Sequence, residues 1–144
     1  TRPKGGIRLT AKEYLQQAYM IDRRLKLNTE RLSAARSALY GKAARYGSDG
    51  SKPVPRGNVT ESAVLRVMEL EERLAKEIDE LTEKRREIER AVNAVPDEVQ
   101  REVLTRRYLL YQKWEVISRE MGYTERRIFQ IHGDALKNIS VNFS

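Results

Sequence analysis

Four side chains of different chemistry share one side of a helix predicted near the C-terminus. They are Glu125, Arg126, Phe129 and Gln130. On a helical wheel they fall opposite the apolar residues Ile128 and Ile131. Arginine can bind guanine, glutamine can bind adenine, glutamate can accept a hydrogen bond from cytosine, and phenylalanine can touch the methyl group of thymine. The row therefore predicts a surface that reads base edges.

A glycine turn precedes this helix and would position it. The segment 113–121 is a short amphipathic helix that buries Trp114, Ile117 and Met121. Gly122 stands where a left-handed residue can end a helix, and Thr124 can cap the next one. The buried face of that next helix is Ile128, Ile131, Ala135 and Ile139.

A third helix is predicted upstream, over residues 97–111, with Asp97 near its start. Its buried face is Val99, Val103, Leu104 and Tyr108. Three helices with a glycine turn of this length describe a helix-turn-helix unit, whose last helix enters the major groove of DNA.

Several other residues of this segment have expected roles. Thr124, Arg127 and Lys137 are placed to contact phosphates. Gly133 either allows a close approach of DNA or is a weak point in the helix. His132, beside Ile131, is expected at the core boundary or against the backbone rather than in catalysis.

Two long helices are predicted in the first two thirds of the chain. In residues 10–46, capped by Thr10 and Glu13, and in residues 60–95, capped by Thr60 and ended by Pro96, apolar residues recur at heptad spacing. The first seam is Tyr14, Ala18, Ile21, Leu25, Asn28, Leu32, Ala35, Leu39, Lys42 and Tyr46. The second seam is Val64, Val67, Glu71, Leu74, Ile78, Leu81, Arg85, Ile88, Val92 and Val95. The glycine- and proline-rich residues 47–58 read as a linker, so an antiparallel helical hairpin, a coiled coil, is expected.

The polar residues of the two seams suggest a register. In an antiparallel pair of helices, the numbers of facing residues have a constant sum. A sum of 113 sets Lys42 opposite Glu71 and Asn28 opposite Arg85. The same register pairs Leu39 with Leu74 and Leu32 with Leu81. In the alternative interpretation, Glu71 and Arg85 extend out of a loose seam to reach water.

The composition narrows the range of functions. There is no cysteine and only one histidine, which excludes a thiolate or multi-histidine metal site. The sequence also lacks a glycine-rich phosphate loop and a nucleophile elbow, so neither an enzyme nor a cofactor is expected. No apolar run approaches the ~18 residues of a membrane span, and a soluble cytoplasmic protein is expected.

Positive charge is concentrated at the N-terminus. Residues 1–58 carry 13 Lys/Arg and 4 Asp/Glu, residues 59–95 carry 7 and 10, and residues 96–144 carry 8 and 7. Arg23, Arg24, Lys26 and Arg31 are therefore a candidate accessory basic surface. They either contact the DNA backbone or form an ordinary solvated face.

The segments REVLTRRYLL and WEVISREMGYTERRIFQIHGDALKNI resemble the fourth conserved region of sigma-70-type factors. The matching residues are Glu102, Val103, Leu104, Arg107, Tyr108, Glu115, Ile117, Gly122, Thr124, Arg127, Ile128, Gln130, Ile131, Ala135, Leu136 and Lys137. Together with the Trp-Glu pair and the preceding long helices, they are similar to phage and prophage transcriptional regulators of the ArpU/RinA type. The resemblance implies base reading by Glu125, Arg126, Phe129 and Gln130.

An all-α protein follows from these patterns, with a helical hairpin in residues 1–95 and a helix-turn-helix unit in residues 96–144. Its expected function is sequence-specific binding of double-stranded DNA and activation of late phage genes in a bacterial host. Because residues 96–144 have a net charge of only +1, a homodimer, the basic first helix or RNA polymerase would have to add affinity. The alternative function is a DNA-packaging adaptor such as a small terminase subunit.

Overall fold

The described part of the chain, residues 9–41 and 60–140 of a computed structural model, is all-α and contains no strand. Five α-helices follow one another in these residues. They are α1 (Ala11–Arg36), α2 (Glu61–Asn93), α3 (Glu98–Leu104), α4 (Trp114–Met121) and α5 (Glu125–Lys137). A turn of π-helix follows α1 at Ser37–Gly41 and another follows α3 at Thr105–Leu109. The predicted fold class is confirmed.

The predicted caps of the two long helices are confirmed. At the start of α1, the Glu13 amide donates to Thr10 Oγ1 at 3.1 Å, and the Thr10 amide donates to Glu13 Oε1 at 3.4 Å. At the start of α2, the Ala63 amide donates to Thr60 Oγ1 at 3.2 Å. Both caps satisfy amides that have no partner inside the helix. Helix α2 ends three residues before Pro96, whose ring could not continue it.

Both heptad seams are protected from solvent, and α1 packs on α2. Every described seam residue is buried or half-buried, from Tyr14 to Leu39 in the first seam and from Val64 to Val95 in the second. The last two positions of the first seam, Lys42 and Tyr46, and the linker at 47–58 lie outside the described residues. A helix that hides one residue in every three or four is stabilised mainly by this packing.

Two compact units divide the chain. One comprises the described residues of Thr1–Asp22 and Glu83–Ser144, and the other comprises those of Arg23–Thr82. Helices α1 and α2 each contribute to both units. The division into residues 1–95 and 96–144 stays a prediction.

The predicted register is wrong in the unit Arg23–Thr82. Glu71 pairs with Arg36 at 2.9 Å, where Lys42 was expected opposite it. Arg24 pairs with Glu77 at 2.5 Å. In the predicted register these two residues would stand twelve positions apart, about 18 Å along the axis. No arginine side chain spans that distance.

The other unit shows the same displacement. Arg85 donates to Asp22 Oδ1 at 2.9 Å instead of facing Asn28. The residue numbers of this pair sum to 107, as do those of the Arg36–Glu71 pair. A register one heptad away from the predicted sum of 113 would give 106, so both pairs indicate a shift of about seven residues. A shift of seven residues keeps every apolar position in the seam. In a register shifted by seven residues, Leu32 rather than Leu39 would stand opposite Leu74.

The last three helices enclose a small core. It consists of Val103, Ile117, Ile128 and Ile131, with Trp114 and Met121 packed against it. Asp97 caps α3 by accepting from the Gln100 amide at 2.9 Å, as expected. Val99 was expected on the buried face but is 36% exposed, because α3 presents Val103 and Leu104 to the core instead.

The helix predicted over 97–111 is regular only to Leu104. Thr105 donates its hydroxyl to the Arg101 carbonyl at 2.8 Å, a local bond that competes with regular helix geometry. The Leu110 amide then reaches back to the Thr105 carbonyl at 2.9 Å, which widens this turn into a π-helix. Tyr111 follows with a φ of 58°, a left-handed conformation that is uncommon for a tyrosine.

Candidate nucleic-acid interface

The four predicted base-reading residues lie together on the solvent side of α5. Glu125, Arg126, Phe129 and Gln130 are all exposed. Three residues on the opposite side of the same helix, Ile128, Ile131 and Ala135, are buried. This placement agrees with the helical wheel, whereas base reading itself stays a prediction.

The turn before α5 determines where this helix begins and therefore where its exposed side chains lie. Gly122 has a φ of 73°, and its amide donates to the Ser118 carbonyl at 3.0 Å, which ends α4. Two residues later Thr124 accepts from the Arg127 amide at 3.1 Å through Oγ1 and caps α5. The left-handed glycine and the N-cap are therefore both present where the sequence predicts them. Only three residues therefore separate the end of α4 from the start of α5.

The three predicted phosphate-contacting residues, Thr124, Arg127 and Lys137, are all exposed. Thr124 uses its oxygen for the cap, which leaves its hydroxyl proton available to an acceptor. Arg127 donates to Gln130 Oε1 at 3.3 Å. Lys137 lies 3.9 Å from Asp134, with 80% of its side chain exposed. Such an exposed pair opens at little cost, so Lys137 stays available to an anion.

An aromatic cluster behind the exposed row was not predicted from the sequence. The Trp114 ring meets the Phe129 ring edge-on, with centroids 5.1 Å apart, and meets the His132 ring in the same way at 4.7 Å. The guanidinium carbon of Arg107 lies 4.5 Å from the centre of the Trp114 ring, a cation–π distance. Tyr108 stacks on His132 at 5.7 Å. Trp114 thus connects an exposed residue of α5 to the turn after α3.

His132 lies half-buried within this cluster, at the boundary position that the sequence predicts. Burial, together with the positive charges of Lys12 and Arg107, lowers the pKa of His132 to about 4. Burial also raises the pKa of Tyr108 to about 12. Tyr108 therefore keeps its proton at neutral pH and can donate it to His132 Nε2, which is 2.6 Å away. A neutral imidazole held in this way adds no positive charge to the surface.

A second network joins residues that are distant in sequence. The Tyr111 hydroxyl donates to the Ala18 carbonyl at 3.0 Å and also bonds to Asp22 Oδ2. Asp22 in turn accepts from Arg85, which also reaches Glu89 at 3.1 Å. Burial, followed by the bond to Asp22, raises the pKa of Tyr111. The sequence shows Arg85 as a polar residue in an apolar seam, but it does not reveal its partner.

The candidate accessory basic surface lies in the other unit. Arg24 donates to Glu77, and this bond is the main reason that the pKa of Glu77 is lowered. Arg31 adds a smaller electrostatic contribution to the same carboxyl group. Lys26 and Arg23 are exposed. Part of this positive charge is thus already balanced by α2.

Two further properties concern only the described residues. Within residues 9–41 and 60–140, no group of three or more histidine, cysteine or acidic side chains is arranged to hold a metal ion. None of the helices in these two ranges has the length and apolar character needed to cross a membrane.

No protein-family model, curated protein or solved structure matches the chain. The resemblance to sigma-70 region 4 and to ArpU/RinA-type regulators therefore rests on the quoted residues alone.

Proposed function

We propose that this protein binds double-stranded DNA in a sequence-specific manner through α5 and regulates transcription. The observation that carries the proposal is the exposed row Glu125, Arg126, Phe129 and Gln130 on a capped helix that follows a left-handed glycine turn. A major groove about 12 Å wide admits one α-helix, and such a row would then face the base edges. The packing of α5 against α3 and α4 holds the row in place.

The chemistry of the row suits bases better than it suits a generic acidic partner. It combines a carboxylate, a guanidinium, an amide and an apolar ring, which together can address each of the four bases. A surface that only attracted anions would not place Glu125 beside the groove. Thr124, Arg127 and Lys137 flank the row and can bind phosphates on either side of it.

One such surface would bind DNA weakly, because residues 96–144 carry a net charge of only +1. Two copies of α5 in a homodimer would read two half-sites and gain affinity from their linkage. RNA polymerase is the other partner that the proposal includes, with the protein acting in the cytoplasm of a bacterial host as an activator of late phage or prophage genes.

A packaging adaptor of the small-terminase type is the second candidate. The observation that favours it is a pair of large exposed apolar side chains one turn apart on α2, Leu65 at 52% and Met68 at 57%. Contiguous exposed apolar patches mark surfaces that bind other chains, and these two side chains adjoin one another on the helix. A ring of about eight or more subunits in solution would favour packaging, whereas a monomer or dimer would favour regulation.

The test of DNA binding is selection from a random duplex library, followed by footprinting on the genome that encodes the protein. We expect one enriched motif, protected at a small number of genomic positions near promoters. Equal retention of all duplexes at moderate salt would contradict the proposal, since non-specific binding alone enriches nothing.

A further inference from the structure

We infer that Phe129 selects a thymine through its C5-methyl group and that Trp114 is the positioning residue that fixes the Phe129 ring for this task. The inference rests on the proposed reading of DNA by α5, and it assigns a base chemistry to one member of the row. It also gives a role to the aromatic cluster behind the row.

Phe129 does not move freely on the surface. Its ring packs edge-on against Trp114, with centroids 5.1 Å apart and planes inclined by 63°. An aromatic pair in this geometry is worth about 0.5–1.5 kcal/mol beyond the area that it buries. The ring is nevertheless 47% exposed, so one part is held by the protein and the rest faces solvent.

Trp114 is itself held from several directions. His132 meets its ring edge-on at 4.7 Å, and the Arg107 guanidinium carbon lies 4.5 Å from the centre of its ring. Arg107 is fixed by a bond of 2.9 Å to the Gln112 carbonyl. Trp114 also packs against the core of the last three helices. A base that approaches Phe129 therefore meets a preorganised ring.

The exposed part of the ring determines which group can be placed against it. A base edge with hydrogen-bonding groups would lose its bonds to water and gain none from Phe129. The C5-methyl group of thymine is the apolar group that the four standard bases offer in the major groove. Glu125, Arg126 and Gln130, which surround Phe129 on the same side of α5, can meanwhile bind polar edges of neighbouring bases.

The experiment uses the full chain and the duplex that it selects. Each thymine in turn is replaced by uracil, which differs only in lacking the methyl group. For the wild type we expect about fourfold weaker binding at one thymine, which corresponds to one buried methyl group. Phe129→Ala should bind the thymine and uracil duplexes equally. Leu110→Ala is the matched control, since Leu110 is also an exposed apolar residue, at 57%, and lies outside α5.

A second readout distinguishes positioning from simple structural support. Trp114 is the only tryptophan of the chain, so its fluorescence reports directly on the contact with Phe129. We expect the thymine and uracil duplexes to change the emission differently in the wild type and identically in Phe129→Ala. Trp114→Phe should lower the thymine preference, measured as the ratio of the affinities for the thymine and uracil duplexes. A merely structural role would instead weaken binding to both duplexes to the same extent.

The outcomes separate this inference from the function on which it rests. If the protein selects a duplex and the thymine preference persists in Phe129→Ala, or no thymine responds to loss of its methyl group, the inference is overturned and the proposed function stands. If no duplex is selected at all, the proposed function fails and the inference fails with it.

Discussion

His132 lies half-buried between Tyr108 and Trp114, and its surroundings keep the imidazole neutral. The cost of burying a charge and the nearby cations Lys12 and Arg107 all favour the unprotonated ring. The Tyr108 hydroxyl supplies a proton donor 2.6 Å away. At the scale of single residues, protonation of His132 is therefore the step by which acid would destabilise this cluster.

We predict that the protein loses stability as the pH falls from about 6.5 to about 4. In that window His132 binds a proton in the unfolded chain but not in the folded one, because its folded pKa is lowered to about 4. Protonation thus favours the unfolded state. Urea unfolding of the wild type and His132→Gln across this range is the measurement, and the variant should show a flatter profile.

The acidic side chains contribute equally to both proteins, so the difference between the two profiles isolates His132. Parallel profiles would show that the imidazole is protonated as easily in the folded state as in the unfolded one. Tyr108→Phe serves as a further control for the hydrogen bond to His132, since it removes the hydroxyl group and leaves the stacked rings.

At the scale of elements, the two glycines of the C-terminal segment have opposite expected effects when replaced by alanine. Gly122 has a φ of 73°, which costs an alanine about 1–2 kcal/mol although nothing lies within 4 Å of an added Cβ. Gly133 lies inside α5, also with open space around it, so alanine should stabilise the helix by up to about 1 kcal/mol. Thermal unfolding of both variants tests these signs.

Binding by the same two variants tests the close approach of DNA. Gly133 continues the exposed row of α5, so we expect Gly133→Ala to bind the selected duplex more weakly despite its greater stability. Unchanged affinity would show that the glycine is only a weak point of the helix. Gly122→Ala should lose affinity only to the extent that it loses folded protein.

The elements were predictable where the signal is local. The capping residues Thr10, Asp97 and Thr124 each bond an amide three residues ahead, a pattern that can be recognised in sequence. The heptad seams were also predictable, since burial follows a repeat of seven. Their register was not, because a shift of one heptad still sets one apolar seam against the other. The register is instead selected by the ion pairs of Arg36, Arg85 and other long side chains, and each of these side chains can reach several partners.

In the candidate site, too, the sequence predicts which residues are exposed but not which distant residues are in contact. Exposure of Arg126 and Gln130 follows from helical periodicity, and the structure confirms it. The contact between Trp114 and Phe129 joins residues fifteen positions apart, and it depends on the turn geometry rather than on any repeat. The left-handed Tyr111 and its bond to Asp22 likewise carry no local sequence signal.

At the scale of the whole molecule, most cations lie far in sequence from α5. Neutralising Arg23, Arg24, Lys26 and Arg31 to glutamine should leave the slope of log K against log salt unchanged. Arg24 donates to Glu77 and Arg31 acts on the same carboxyl group, so a phosphate would have to compete with Glu77 for both cations. Salt titrations of non-specific DNA binding measure the slope directly.

A matched control neutralises cations on α5. Arg127 and Lys137 replaced together by glutamine should flatten the slope by up to about 0.9 for each phosphate contact that is lost. A quadruple variant that flattened the slope to a similar extent would instead place the first helix on DNA. With an unchanged slope, we expect the four cations to affect subunit association or transcription.

The central claim is that α5 reads bases, and the most direct test measures specific and non-specific affinity side by side. We predict that Arg126→Ala and Gln130→Ala each weaken binding to the selected duplex by about 1–3 kcal/mol, with much smaller losses on a random duplex and unchanged thermal unfolding. Arg86→Ala and Gln16→Ala, which alter exposed residues of the same types on α2 and α1, should bind as the wild type does. Full affinity for the selected duplex in both α5 variants, with the fold intact, would contradict the claim.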